Sequence, residues 1–166
     1  MSFLRDGMIR RDPIEQLDEL SQDLSATWNA ASVPASISTW MSRPSILRRI
    51  ADALSAELRD DIDRILAVGP GAQALGSAVA LATGIPYVAE AGSTRFGDLH
   101  RGERVAVVNA VRQGEDALGA ANASGAVILQ NLAVVDLDDR RDDPAKTALF
   151  RFTGRHQTLV TERKSS

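Results

Sequence analysis

Four short, almost uninterrupted apolar runs, Arg64–Val68, Ile85–Ala89, Arg104–Asn109 and Ala126–Val135, limit what this chain can fold into. A strand without alternating polar residues has no face to turn toward water, so its sheet must be covered on both sides. Helical patterns lie between the runs: small residues over Ala72–Thr83, stopped by Gly84, and a second segment over Asp116–Ala123 that ends at Ser124-Gly125. Strand and helix in alternation predict an α/β fold, a parallel central sheet with helices on both faces. The last run is long enough to contain a bend.

The flanks differ from this centre. Asp12, Pro13 and Glu15 form a capping box that opens a helix carrying Ile14, Leu17, Leu20 and Leu24. Residues 26–45, rich in Ser, Ala and Pro, read as irregular or short extended structure, and Leu47, Ile50, Leu54 and Leu58 mark a second helix. Near the other end, ALFRF and QTLVT read as a C-terminal β-hairpin joined by Thr153–His156. Chain length fits one domain, with an N-terminal helical accessory region (1–60), an α/β core (61–137) and a charged loop plus hairpin (138–166).

Composition narrows the function classes. Aromatic residues make up 4% of the chain, so Ala, Val and Leu must fill most of the core. A net charge of −3 gives no basic surface for nucleic acid. Arg48-Arg49 and Arg140-Arg141 each sit near acids and read as solvated faces. Without cysteine there is no disulfide, no thiol nucleophile and none of the commoner zinc sites. No metal site is expected. Asp138, Asp139, Asp142 and Asp143 are interleaved with arginines as a solvated loop, and His100 and His156 lack ligand spacing. Gly76-Ser77-Ala78 is not a nucleophile elbow. MSFLRDGMIRRDP contains no long apolar run, so neither a signal peptide nor a membrane anchor is expected, and the setting is expected to be cytoplasmic.

The segment RVAVVNAVRQGEDA, Arg104–Ala117, carries the functional signal: a buried strand, a tight turn at Gly114 and the start of a helix. It resembles the phosphoribosyl-pyrophosphate (PRPP) motif of the phosphoribosyltransferases, in which two adjacent acids follow the strand and a Thr/Gly loop holds a phosphate. Val68-Gly69-Pro70-Gly71-Ala72 resembles the family's pyrophosphate-approaching loop. Gly125-Ala126-Val127 through Val135-Asp136 resembles its downstream Gly-Ala-x-Val … Val-Asp strand. From about residue 12 to about residue 140 the order of elements is similar to orotate phosphoribosyltransferase, with the first sixty residues in the place of its hood. The resemblance implies transfer of a phosphoribosyl group from PRPP to orotate, with magnesium, in pyrimidine nucleotide synthesis. It also implies a homodimer or a related transferase subunit as partner, and a phosphorylated small molecule as ligand.

The departures have physical consequences. Asn109-Ala110 stands where the family has its ribose-holding acids. Losing two charge-assisted hydrogen bonds at about 1.5–3 kcal/mol each weakens such a site by roughly two to four powers of ten. Glu115 and Asp116 occupy a helix start that would otherwise attract a phosphate; they would repel one, and read first as stabilising that turn themselves, by about 0.3–1 kcal/mol each. Arg112 is the nearby cation. The connection Val88–Asp98 lacks the family's loop lysine; it places Glu90 near the expected basic position, and Arg95 reads first as a solvent-facing loop arginine and otherwise as a partial substitute. In the base-binding region, Trp40 is the candidate stacking surface, although as one of two tryptophans it reads first as a core or interface residue. The expectation is a degenerate, non-catalytic relative that needs no cofactor and has a ligand-binding, regulatory or assembly role.

Two rivals remain. One is an active enzyme using magnesium and PRPP, with Asn109 on the ribose, Gly114 and neighbouring amides on the 5′-phosphate, and Gly69–Ala72 on the pyrophosphate. The other is dinucleotide binding: Gly69-Pro70-Gly71-Ala72-Gln73-Ala74 matches G-x-G-x-x-A, and Glu90 follows about twenty residues later as the ribose acid.

Overall fold

The apolar runs form the inner strands of a seven-stranded sheet in a computed structural model that describes residues 12–113, 118–137, 144, 146–153 and 158–161. In chain order the elements are α1 (Pro13–Ala26), α2 (Val33–Met41), α3 (Pro44–Glu57), β1 (Arg64–Val68), α4 (Ala72–Thr83), β2 (Tyr87–Ala91) and β3 (Thr94–Phe96). They continue with β4 (Arg104–Arg112), α5 (Gly119–Ala123), β5 (Val127–Asp136), β6 (Lys146–Thr153) and β7 (Thr158–Thr161). Spatial order is β3-β2-β1-β4-β5-β6-β7. Strands β2, β1, β4, β5 and β6 run parallel, and the edge strands β3 and β7 are antiparallel to their neighbours.

Each face has its own core. On one, Leu20, Leu24, Ile37, Trp40, Ile50, Leu54, Leu75 and Val79 from α1–α4 pack on Ile65, Ala106, Val108, Ala110 and Val134. On the other, Ala121 of α5 and Leu99 cover Leu66, Val68, Val88, Val105 and Val107. Burial of each large aliphatic side chain contributes about 1.5–3 kcal/mol.

The helix over Ala72–Thr83 ends as expected at Gly84, whose φ of 76° is left-handed. The expected bend in β5 is a bulge: Val105 pairs with Ile128 but Ala106 with Gln130, leaving Leu129 extra. Beside the bulge, the Gln130 side chain accepts from Arg59 N at 2.9 Å and donates to Glu57 O at 3.0 Å, tying the end of α3 to the sheet.

Several boundaries differ from the sequence reading. Part of the stretch expected to be irregular is α2, because Ser32 caps Ala35 N at 3.3 Å and Pro34 preorganises the first turn. Strand β2 starts at Tyr87 rather than Ile85, since residues 84–86 are spent leaving the helix. The connection after β2 folds back as β3 through Gly92-Ser93, with Gly92 at φ 61°. Strand β4 continues beyond Asn109 to Arg112, matched residue by residue with β5. The helix expected over Asp116–Ala123 is α5, Gly119–Ala123, with Leu118 outside it; positions 116 and 117 lie outside the described residues.

Candidate functional site

Strand order reverses at β1. The chain crosses through α4 to β2 on one side, and β4 lies on the other. In open parallel sheets the crevice beyond the carboxyl ends of such strands is where ligands bind. Here that crevice begins at the turn Gly69-Pro70-Gly71.

This turn is squeezed from both sides. A Cβ on Gly69 would lie 3.3 Å from Asn109 Oδ1, and one on Gly71 only 2.9 Å from Ile37 Cγ2 and Met41 Cγ. Both glycines have positive φ, 82° and 75°, so steric room and backbone conformation each demand glycine. The Gly69 N–H donates to Glu90 O at 2.9 Å, and Ala72 N–H to Gly69 O at 3.1 Å. Between α2 and the turn is a hollow of about 400 Å³ whose walls include Pro34, Ile37, Met41 and Pro70. The loop that resembles a pyrophosphate cradle therefore lies under the mostly apolar side of α2.

The end of β4 is closed in a different way. Asn109 is buried, in register with Val68 and Ala133. Ala110 is fully buried in the helix-covered core. Arg112, 2% exposed, is a correction to the reading of it as a cation near the phosphate loop. Its Nη1 donates to Asp136 Oδ2 at 2.8 Å. Its Nη2 donates to Asn131 O at 2.8 Å, Asn131 Oδ1 at 2.9 Å and Thr147 O at 3.2 Å. The guanidinium thus joins β4, β5 and β6 and presents no charge to the crevice. Sequence reasoning missed Asp136 and Asn131 in this network. The available signal was that Arg112 and Asp136 both end apolar strands.

Trp40 is the core residue that the sequence favours, and only its alternative as a stacking surface is corrected. It is wholly buried, its Nε1 donates to Thr27 Oγ1 at 2.9 Å, and its ring stacks on Trp28 at 5.8 Å, so no face is left for a base. Arg95 is in β3 rather than a loop and pairs with Glu90 at 2.7 Å. That ion pair also engages the acid of the dinucleotide reading. Register places Glu90, Val68 and Asn109 in one row across the sheet. Gly114, Glu115 and Asp116 lie outside the described residues, as do His156 and the acids at 138, 139, 142 and 143. Among the described residues no three His, Cys, Asp or Glu side chains come together as a metal site, and no helix is long and apolar enough to cross a membrane.

No family model matches the chain, and no curated protein matches it in sequence. Solved structures do. Mycobacterium tuberculosis H37Rv orotate phosphoribosyltransferase, in complex with PRPP, superposes with a TM-score of 0.60 at 22% identity, over 74% of this chain and 76% of that one. A phosphoribosyltransferase from Corynebacterium diphtheriae gives 0.58 at 20% identity, over 73% and 82%. UMP synthase from Leishmania donovani gives 0.54 at 21% identity, covering 72% of this chain and 31% of that one, so this chain spans about a third of the synthase. The chain has the type I phosphoribosyltransferase fold.

Proposed function

We propose that this protein is a degenerate relative of orotate phosphoribosyltransferase that keeps the fold without the transfer reaction. Its role is ligand binding, regulation or assembly with a second copy or a related transferase subunit in the cytoplasm. The end of β4 carries this reading. Where the resemblance expects two acids beside an open phosphate loop, Asn109 and Ala110 are built into the hydrogen-bonded ladder, and the strand runs on to a buried Arg112. Asn109 is neutral, Ala110 offers no polar atom, and Asp136 neutralises Arg112. A ribose with a 5-phosphate and a 1-diphosphate needs anion-binding donors and hydroxyl acceptors, and this strand end supplies neither in charged form.

No resident cofactor is needed in this reading, whereas an active enzyme would take magnesium together with PRPP. Calorimetric titration of the purified chain with PRPP and magnesium at low salt tests it, followed by an assay for orotate consumption. The expected result is no saturable binding tighter than about 100 μM, equivalent to about −5.5 kcal/mol, and no turnover. Tight binding with consumption of orotate would establish the enzyme instead.

A further inference from the structure

Among the described residues Met41 alone carries sulfur: the chain has no cysteine, and Met1 and Met8 precede the described part. It closes helix α2, is half-buried, and packs against the larger core. On one side it presses on the glycine turn, since a Cβ on Gly71 would meet Met41 Cγ at 2.9 Å and Sδ at 3.7 Å. On another it lines the hollow of about 400 Å³, whose walls also hold the exposed Pro34, Ser38 and Ser42. A core methionine seats its helix, and a surface methionine meets solvent. Met41 does both.

The seat has little slack. Gly71 is fixed at φ 75°, and Ile37 Cγ2 stands as close to its Cβ position as Met41 Cγ does, at 2.9 Å. A peroxide molecule is little larger than water and can enter an open hollow of this size. There the thioether sulfur attacks one peroxide oxygen and the O–O bond breaks. The sulfur loses two electrons and becomes a sulfoxide, while the other oxygen takes up the proton and leaves as water. The product is polar, so it disrupts the apolar contact the thioether made. Pro34 and Pro70, in the walls, have no N–H to donate to the new oxygen. That oxygen is satisfied by turning outward to water and the Ser38 hydroxyl, which draws the sulfur away from Gly71.

We propose that Met41 is an oxidation site at which hydrogen peroxide unseats α2 from the Gly69–Gly71 turn. The proposal goes beyond the functional reading above and needs no phosphoribosyl ligand. Because α2 shares its core with the sheet, the loss is read in the stability of the whole chain.

The full chain is exposed to hydrogen peroxide at neutral pH, with methionine oxidation followed by peptide mass spectrometry. Urea unfolding is then followed by fluorescence, Trp40 being the neighbour of Met41. Native Met41 is expected to oxidise within about tenfold of the rate of free methionine. Oxidation should lower the urea midpoint by about 0.5 M or more. Met41→Leu conserves size and apolarity, and its midpoint should survive the same treatment although Met1 and Met8 remain. Met41→Gln, polar and of similar length, should start from a lowered midpoint and lose little more with peroxide. A native Met41 that oxidises more slowly than that tenfold limit overturns the proposal. An oxidised wild type with an unchanged midpoint also overturns it, as does a Met41→Leu chain that loses as much as the wild type.

Discussion

Burying Arg112 removes a guanidinium from water, a cost of several kcal/mol that only close, well-aimed acceptors offset. Asp136 supplies the opposite charge at Nη1, the carbonyls of Asn131 and Thr147 with the Asn131 amide oxygen accept from Nη2, and Nε is buried without an acceptor among the described residues. Removing one partner is then much worse than removing both. Arg112→Met leaves the Asp136 carboxylate without its cation and is expected to lower unfolding free energy by about 3–5 kcal/mol in a urea titration. Adding Asp136→Leu should recover a substantial part of that loss, because no lone charge then stays in the interior. Additive losses in the double variant would mean that the ion pair is not the unit that matters. At this scale the structural and functional readings meet: a cation committed to holding three strands together is withdrawn from phosphate binding.

Strands β1 and β4 are clasped at the opposite end of the sheet by a reciprocal exchange. Asp63 pairs with Arg104 at 2.9 Å, and Arg64 with Glu103 at 2.8 Å, so each strand entrance contributes one acid and one arginine. The Arg104 side chain and its backbone N–H hold the Asp63 carboxyl below its ordinary 3.8, at about 2. Arg64 lowers that of Glu103 in the same way. With folded pKa values below the unfolded ones, the contribution is fully present above about pH 5 and is lost as pH falls through the lowered folded values, toward 2 for Asp63. Melting temperature should therefore drop through that window. An Asp63→Asn/Glu103→Gln chain should start lower at neutral pH and show a shallower acid slope; equal slopes would show that other carboxylates control the acid limb. Elements like β1 and β4 were legible because parallel strands buried on both faces read as continuous apolar runs. Helix α4 was legible to the residue because Gly84 ends it. Helix α2 was not. Its buried set includes Ser36 beside Ile37 and Trp40, so apolar periodicity is faint, and its real marker is the Ser32-Val33-Pro34 cap. Of the candidate site, the Gly69–Gly71 turn could be read locally. The seat of α2 on that turn and the Arg112–Asp136 pair could not, because tertiary packing and strand register create them.

Over the whole molecule, the accessory helices and the sheet share a single core, which bears on whether they unfold together. Leu20, Leu24, Ile37, Trp40, Ile50 and Leu54 come from the first sixty residues, yet they form one cluster with Ile65, Val108, Ala110, Val134 and Phe150. The helical region and β6 meet in it: Trp28 stacks on Trp40 and meets Phe152 of β6 at 5.3 Å. Stripping α1–α3 from the sheet would expose an apolar face beyond the few hundred Å² that soluble monomers commonly tolerate. We therefore expect one cooperative unfolding transition. The chain has two tryptophans, Trp28 and Trp40, both in the helical region, so fluorescence follows that region while far-UV circular dichroism follows all of the secondary structure. In urea the two midpoints should coincide, and a chain beginning at residue 61 should not fold. A fluorescence transition at lower urea would make the helical region a separate unit lying on the sheet. Coincidence carries a further consequence for the crevice: Ile37 and Met41 of α2 would leave the Gly69–Gly71 turn only at the cost of unfolding the molecule, so the covered turn would be a fixed part of the native state and not a lid that opens locally.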